Sequence, residues 1–172
     1  RISPEGGGRP VTEGRTVVFD YSISNEGKIV FGEASPRSPG DLYLLDEKSN
    51  PTRLTDLNPW LGSMALQEPE EITYTGLEDR EVQGWVIKPV GYEEGKEYPT
   101  VVYVHCSMFS YDFQHEFQAL AQAGYVVAYF NQIGTTAGYG QEWTQARQGD
   151  VGGQEYEEIM KGVDWLEKQP YV

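Results

Sequence analysis

Three adjacent residues, His105, Cys106 and Ser107, carry the side chains of this chain that are best suited to nucleophilic chemistry. A histidine beside a cysteine can favour the thiolate, which is the nucleophilic form of the sulfur. Successive side chains of a β-strand point to opposite faces, so His105 and Cys106 can meet only if the chain turns at once. A catalytic Cys106 is therefore disfavoured, and a plain buried thiol is a simpler interpretation.

Metal and cofactor chemistry fit the sequence poorly. The two histidines, taken with Cys106 and Asp112, do not have the spacing of known motifs that bring three or four ligands onto a metal ion. The glycine-rich stretches at 138–140 and 149–153 lack the G-x-x-x-x-G-K-[ST] pattern of a phosphate-binding loop. We predict turns and helix starts there, and expect no metal and no cofactor.

A conventional serine nucleophile is missing as well. The sequence has no G-x-S-x-G, the motif that presents a serine on a sharp turn between a strand and a helix. Asp150 precedes the last predicted helix and suits an N-cap-like role. That role is preferred to a catalytic acid, because no base or nucleophile is in view to pair with Asp150.

Composition restricts the class of partner. The 172 residues include 27 acidic and 13 basic side chains, a net charge of −14, which disfavours nucleic acid because its phosphates are bound by Lys and Arg. Apolar runs such as 125–130 are far shorter than the ~20 residues of a membrane span, and no signal peptide is visible. The single cysteine allows no internal disulfide, so a cytoplasmic location is the simplest expectation.

Residues 1 to about 66 are predicted to be all β. Strand candidates at Thr16–Ile23, Lys28–Glu33 and Asp41–Asp46 are separated by connectors rich in Asn, Gly, Pro and Ser, at 24–27, 35–40 and 47–51. Strands at this spacing are typical of one β-propeller blade and part of another.

The pattern changes after residue 70. A strand pair is predicted from Ile72–Tyr74 and Glu81–Lys88. Thr100–His105 is nearly continuous in β-branched and aromatic residues, which predicts a strand buried on both faces. A short helix, Glu116–Ala123, and another buried strand, Tyr125–Asn131, follow. Strand, helix and strand in this order predict a right-handed βαβ unit.

The last element is predicted to be an amphipathic helix that stops at Pro170. Its apolar residues recur at helical spacing, and the acidic residues are expected mostly on the opposite face. The apolar face comprises Tyr156, Ile159, Met160, Val163 and Leu166. The opposite face comprises Glu155, Glu157, Glu158 and Lys161.

Several strings, in this order, resemble the prolyl oligopeptidase family of serine peptidases, and most closely its acylaminoacyl-peptidase-like branch. They are LYLLD at 42–46, RLTDLN at 53–58, EEITY at 70–74, GWVIKP at 84–89, HEFQALAQAGYVVAYFN at 115–131, GYGQEW at 138–143 and GGQEYEEIMKGVDWL at 152–166. The resemblance implies an α/β fold: residues 1–66 as the end of a β-propeller, and 67–172 as the first half of an α/β-hydrolase domain, truncated before the nucleophile.

The resemblance also implies which residues lie near an active site. The Ser, Asp and His of the family's triad would all follow Val172, so His105 and His115 are not the triad histidine and no catalytic residue is assigned. His105, Cys106 and Ser107 correspond to the loop whose backbone N–H helps to form the oxyanion hole. Gly134 and Tyr139 lie in a turn expected to face the substrate.

These motifs depart from the family pattern. His-Gly-Gly-Pro is replaced by His105-Cys106-Ser107-Met108, and Asn-Pro-Arg-Gly by Asn131-Gln132-Ile133-Gly134, with Ala137 inserted afterwards. Because glycine lets a backbone approach a reacting oxygen closely, the loss of the glycine pair threatens an oxyanion donor.

Two functional hypotheses follow. The first is a fragment or truncated homologue of a serine peptidase that hydrolyses peptide or acyl-peptide bonds through an acyl-enzyme, inactive on its own because the triad is absent. The second is a non-catalytic structural or partner-binding module. A peptide substrate is expected only for a complete parent enzyme, and no membrane or nucleic-acid partner is expected. The strand Thr100–His105 would expose an unpaired edge, which predicts self-association or pairing with a missing C-terminal half.

Overall fold

The computed structural model describes residues 6–8, 10–46, 50–105, 111–135 and 138–172. The chain forms two compact units, Arg1–Met64 with Tyr111–Gln114, and Ala65–Ser110 with His115–Val172. No helix in the described ranges has the length and apolar character needed to cross a membrane.

The first unit contains an antiparallel sheet whose strands lie in sequence order. Its strands are β1 (Val17–Ile23), β2 (Ile29–Ser35), β3 (Ser38–Leu45) and β4 (Pro51–Arg53). The predicted connector at 35–40 is too long: Ser35 pairs with Ser38, so the turn is Pro36-Arg37 and the next three residues belong to β3. Proline sets the backbone angle that the first central position of such a turn requires, so two residues suffice.

Asp41 in β3 binds the end of β4 and the segment that follows it through hydrogen bonds. Its buried carboxylate accepts hydrogen bonds from Arg53 Nη2 at 2.5 Å, from the Thr55 hydroxyl at 2.8 Å and from the Leu57 N–H at 3.0 Å. Burial alone would raise the pKa of Asp41, but the bonds from Leu57, Thr55 and Arg53 hold it below the ordinary value.

The second unit contains a mixed sheet. Its elements are β5 (Glu70–Thr75), β6 (Glu81–Ile87), β7 (Thr100–Tyr103), α1 (His115–Gln122), β8 (Val126–Phe130), α2 (Gln141–Gln145) and α3 (Gln154–Leu166). The strand order is β5-β6-β8-β7, with β7 and β8 parallel and the other pairs antiparallel. This topology confirms the predicted α/β class, the strand pair and the βαβ unit.

The central strand β8 is buried along its whole length and packs against helices on both faces of the sheet. Phe130 lies 5.1 Å from the Tyr74 ring and closely covers Gly162 of α3. On the other face, the Tyr129 ring lies 5.0 Å from Phe117 of α1. The alternate residues of β8 therefore join the sheet to α1 and α3.

The prediction of a strand buried on both faces at Thr100–His105 is wrong in length and burial. β7 ends at Tyr103, its residues are half-buried or exposed, and Val104 is 62% exposed. The reason is position: β7 pairs with β8 on one side and is an edge strand of the described sheet.

The predicted orientation of the last helix is wrong by part of a turn. Tyr156 is 58% exposed and Met160 is 38% exposed, whereas Glu158, assigned to the polar face, is fully buried. The row that faces the sheet is Glu158, Gly162 and Leu166, because Gly162 lets the helix approach Phe130 and Glu158 finds polar partners there.

Candidate functional site

The candidate site lies where the two parallel strands end. His105 follows β7 by two residues and Asn131 directly follows β8. Because the carboxyl ends of parallel strands meet at the same edge of a sheet, the two exits lie side by side. This edge is where open α/β sheets generally bind their ligands.

His105 is joined to the loop after β8 by a side-chain hydrogen bond. Gln132, which is only 3% exposed, donates from Nε2 to the His105 carbonyl oxygen at 2.8 Å. The His105 ring stacks on Tyr103 with a centroid distance of 6.1 Å. Cys106 and Ser107, the other two residues of the predicted oxyanion loop, lie outside the described residues.

The loop 131–135 after β8 is buried and held by Trp143. The indole N–H of Trp143 donates to the Gln132 carbonyl at 3.0 Å and to the Thr135 hydroxyl at 3.1 Å. The Gly134 N–H donates to the Trp143 carbonyl at 3.0 Å. Gly134 has a φ of +89°, and a Cβ atom there would lie 3.1 Å from the Arg147 Cβ, so the turn requires glycine.

Tyr139, the second residue predicted to face a substrate, is engaged by protein groups. Its hydroxyl donates to Gln83 Oε1 and accepts from Asn131 Nδ2 at 3.3 Å, and its ring lies 4.9 Å from Trp143. Burial raises the pKa of Tyr139. The structure thus brings Tyr139 to the start of the loop after β8. The inserted Ala137 lies outside the described residues.

A buried carboxylate, which the sequence analysis placed at the surface, lies behind this loop. Glu158 accepts hydrogen bonds from the Ile133 N–H, from the Leu77 N–H at 3.4 Å and from Arg80 Nη1 at 3.2 Å. The Tyr74 hydroxyl donates to the Glu158 carbonyl at 3.0 Å. Burial, together with the charge of Glu158, raises the pKa of Tyr74 strongly.

Arg80 completes this cluster from the turn between β5 and β6. Its side chain is 25% exposed, and its guanidinium carbon lies 5.4 Å from the centroid of the Trp143 ring, a distance suited to a cation–π contact. In the 3-10 turn Leu77–Asp79 that precedes it, Glu78 and Asp79 have positive φ angles. Glu158 and Arg80 therefore fasten this turn, α3 and the loop after β8 to one another.

Sequence reasoning missed four residues that build the site: Gln132, Trp143, Glu158 and Arg80. One signal could have found Glu158, which lies four residues before Gly162 and eight before Leu166 on the same row of the helix. A small residue and a leucine on that row indicate the face that packs closely. The other three act through contacts with distant segments that no local spacing reveals.

Asp150 supports the start of α3 from outside the helix. The N-cap position is Gly153, and the Asp150 carboxylate accepts the Gln154 N–H at 3.0 Å. A Cβ atom on Gly153 would lie 2.1 Å from Asp150 Oδ1, so the close contact depends on glycine. The N-cap-like function predicted for Asp150 is thus carried out by its side chain.

An apolar groove of about 570 Å³ lies between β7 and α3. Its walls include Val102, Val104, Ile159, Met160 and Val163. The exposed half of the α3 apolar face therefore lines a groove beside the edge strand. At the other end of β7, the Tyr98 N–H donates to the Tyr171 carbonyl at 2.9 Å, which places Val172 close to the start of β7.

The described side chains around the exits of β7 and β8 hold the backbone of the neighbouring segments in place. They join the exits of β7 and β8 through Gln132 and hold the buried loop 131–135 in place. No group of three or more His, Cys, Asp or Glu side chains within the described part of the chain is arranged to hold a metal ion.

Comparison with known proteins identifies a family and several relatives of similar sequence. Residues 111–172 match the prolyl oligopeptidase family. An uncharacterized peptidase, YuxL, of Bacillus subtilis is 32% identical over 177 residues, which cover 99% of this chain and 27% of the relative. Dipeptidyl-peptidase 5 of Porphyromonas gingivalis is 26% identical over 172 residues, 95% of this chain and 25% of the relative. The chain thus spans about a quarter of the length of these relatives.

A solved structure shows the same similarity in three dimensions. The acylaminoacyl peptidase of Pyrococcus horikoshii superposes with a TM-score of 0.84 at 25% identity, covering 95% of this chain and 26% of that one.

Proposed function

The chain belongs to the prolyl oligopeptidase family, and from this we propose that it forms part of a serine hydrolase that cleaves peptide or acyl-peptide bonds through an acyl-enzyme. The observation that carries the proposal is the sheet order β5-β6-β8-β7, with the two strand exits joined by the hydrogen bond from Gln132 to His105. Open α/β sheets bind their substrates at such exits.

Within that enzyme, this chain would supply binding surface and backbone donors. The loop that begins at His105 would contribute to the oxyanion hole, and the turn that contains Gly134 and Tyr139 would face the substrate. The Ser of the triad would lie outside these 172 residues, because they contain no G-x-S-x-G. The resemblance places the Asp and the His outside them as well. We therefore expect the 172-residue chain alone to be inactive.

The groove between β7 and α3 supports a protein partner. β7 is an edge of the described sheet, and Val104, in the wall of the groove, is exposed. Such edges pair readily with another strand. We propose that a C-terminal half of the enzyme covers β7 and the groove, since Tyr171 already lies against the start of β7. A second copy of the chain is the occupant when that half is absent.

Two further features belong to the same proposal. The four strands of the first unit form a meander, as a propeller blade does, which supports an origin at the end of a β-propeller. The single cysteine supports a cytoplasmic location, because disulfides are uncommon there.

A second candidate function is a non-catalytic structural or partner-binding module. It is favoured by the replacement of the expected glycine pair with Cys106 and Ser107. A module of this kind would retain the groove and the fold but bind no transition state.

A fluorophosphonate probe and a short-chain p-nitrophenyl ester separate these candidates. Both are applied to the 172-residue chain and to the complete gene product that contains it. Labelling and turnover of the complete product alone support the hydrolase. Inertness of both supports the non-catalytic module, and labelling of the chain at Ser107 or Cys106 would overturn both proposals.

A further inference from the structure

We propose that Gln132 is a positioning residue that holds the exit of β7 and thereby sets where the loop after β7 begins. Its side chain holds the His105 carbonyl, from a position where the family pattern has proline. The inference rests on the proposed function, because that loop is the segment expected to carry an oxyanion donor.

The hydrogen bond extends the β7–β8 ladder beyond its last pair. The backbone pairing of the two strands ends at Tyr103 with Tyr129. Two residues beyond the end of β7, the His105 carbonyl accepts from Gln132 Nε2 at 2.8 Å. The exit of β7 is thus fixed by a side chain of the neighbouring loop where the strand ladder has stopped.

Gln132 can position another group because its own backbone is fixed on both sides. Its carbonyl accepts from the Trp143 indole at 3.0 Å and from the Thr135 N–H at 3.2 Å. The next residue, Ile133, donates its N–H to the buried Glu158 carboxylate. Because the Gln132 backbone is already fixed, its side chain loses little conformational freedom when it binds the His105 carbonyl. The position of Gln132 therefore determines where the His105 carbonyl lies.

The bond also links two of the places where this chain departs from the family pattern. A proline at position 132 would have no side-chain donor, so glutamine is what makes the contact available. The contact reaches the start of the segment in which His-Gly-Gly-Pro is replaced by His105-Cys106-Ser107-Met108. Gln132 thus adds a tether at the base of a loop that has lost its usual glycines.

Carbonyl NMR of the 172-residue chain tests the contact directly. The chain has two histidines, so labelling with [1-¹³C]histidine gives two signals, which the His115→Gln variant assigns. Gln132→Met keeps the side-chain length but removes the donor. We expect the His105 signal to shift upfield while the His115 signal, inside α1, stays in place and reports an intact fold. Gln148→Met, the same change at an exposed position, should move neither. An unmoved His105 signal in Gln132→Met would overturn the proposal.

Kinetics of the complete gene product test the consequence for catalysis. Gln132→Met should lower kcat for a p-nitrophenyl ester about tenfold and leave KM within about twofold, because loss of a whole oxyanion donor costs ~10²–10³ in kcat and a displaced one costs less. Gln148→Met should match the wild type. Unchanged kcat in Gln132→Met would refute the link to the oxyanion loop. A wild-type product without hydrolysis would instead refute the proposed function, and the His105 signal would still decide whether Gln132 holds the exit of β7.

Discussion

Glu158 and Arg80 form an ion pair in which the carboxylate is fully buried and the guanidinium stays partly in water, with Nη1 3.2 Å from Oε1. Two backbone N–H groups, of Ile133 and Leu77, share the same carboxylate. One acidic side chain therefore joins α3 to two separate turns of the second unit, and its loss should affect all three.

Replacing Glu158 with Gln should destabilise the second unit by about 3 kcal/mol. A glutamine amide presents two donors where the site offers only donors, and breaking a buried pair costs ~3–5 kcal/mol. Urea unfolding followed by tryptophan fluorescence measures the loss. Glu157→Gln, the same change at the exposed neighbour, should stay within ~0.5 kcal/mol. Equal effects of the two variants would show that the buried contacts contribute nothing.

The Asp41 cluster should make the first unit sensitive to acid. Because the pKa of Asp41 is lower in the folded state, its contribution is present above the unfolded pKa and is lost as the pH falls through the folded pKa. Asp41→Asn should cost ~1–3 kcal/mol at neutral pH and should flatten the dependence of stability on pH below pH ~4. Circular dichroism during urea unfolding at several pH values checks this. An unchanged slope in Asp41→Asn would contradict the prediction.

Gly134→Ala should destabilise the second unit more than Gly91→Ala does, because a Cβ atom at Gly91 would meet no neighbouring atom. Both Gly134 and Gly91 have positive φ, so alanine at either position costs about 1–2 kcal/mol of backbone strain. Only at Gly134 does the added Cβ also meet Arg147 and Glu155, at 3.1 and 3.2 Å. The difference between the two variants in thermal unfolding isolates the packing cost. Equal losses would mean that the loop after β8 adjusts freely.

Gly162→Ala should destabilise although alanine is the better helix former. Alanine gains ~1 kcal/mol in helix propensity, but its Cβ would lie 2.5 Å from the Phe130 ring, and overpacking costs ~1–3 kcal/mol. Phe130→Leu removes the ring edge, so the double variant should be more stable than the sum of the two single losses predicts. A strictly additive double-mutant cycle would exclude direct packing of Gly162 on Phe130.

The 172-residue chain should self-associate through the β7 edge and the groove. Sedimentation velocity should show species larger than the monomer, and the double change Val104→Lys and Met160→Lys should reduce them, because lysine blocks edge pairing and apolar contact. The matched control is Leu54→Lys with Leu57→Lys, two exposed residues of the first unit. A wild-type chain that sediments as a single monomer would count against an unpartnered edge.

The sequence was a good guide wherever a signal was local. The predicted buried strand Tyr125–Asn131 contains the observed strand Val126–Phe130, and the predicted helix Glu116–Ala123 is followed directly by Gly124, which has a φ of +92°. Burial of β7 could not be predicted, because the same β-branched residues serve a central or an edge strand, and the difference is set by which strands lie beside it.

Prediction of the site was limited by long-range partners. The sequence pattern placed Glu158 at the surface, because the partners that bind its carboxylate are 25 to 81 positions away in the chain. Gln132 lies 27 residues from His105, and nothing between them indicates a contact. The family resemblance identified His105, Gly134 and Tyr139 as candidates, but the side chains that hold their segments could be found only from the packing of the folded chain.

The position of β8 between β6 and β7 has a consequence for biosynthesis. β7 leaves the ribosome before β8 does. Until β8 follows, β7 lacks the strand that it pairs with in the finished sheet, and so does the edge of β6 that faces away from β5. Contacts that wait for a later strand slow folding and expose apolar edges in the meantime. A pause in translation between β7 and β8 would therefore prolong the interval in which β6 and β7 lack the strand that lies between them.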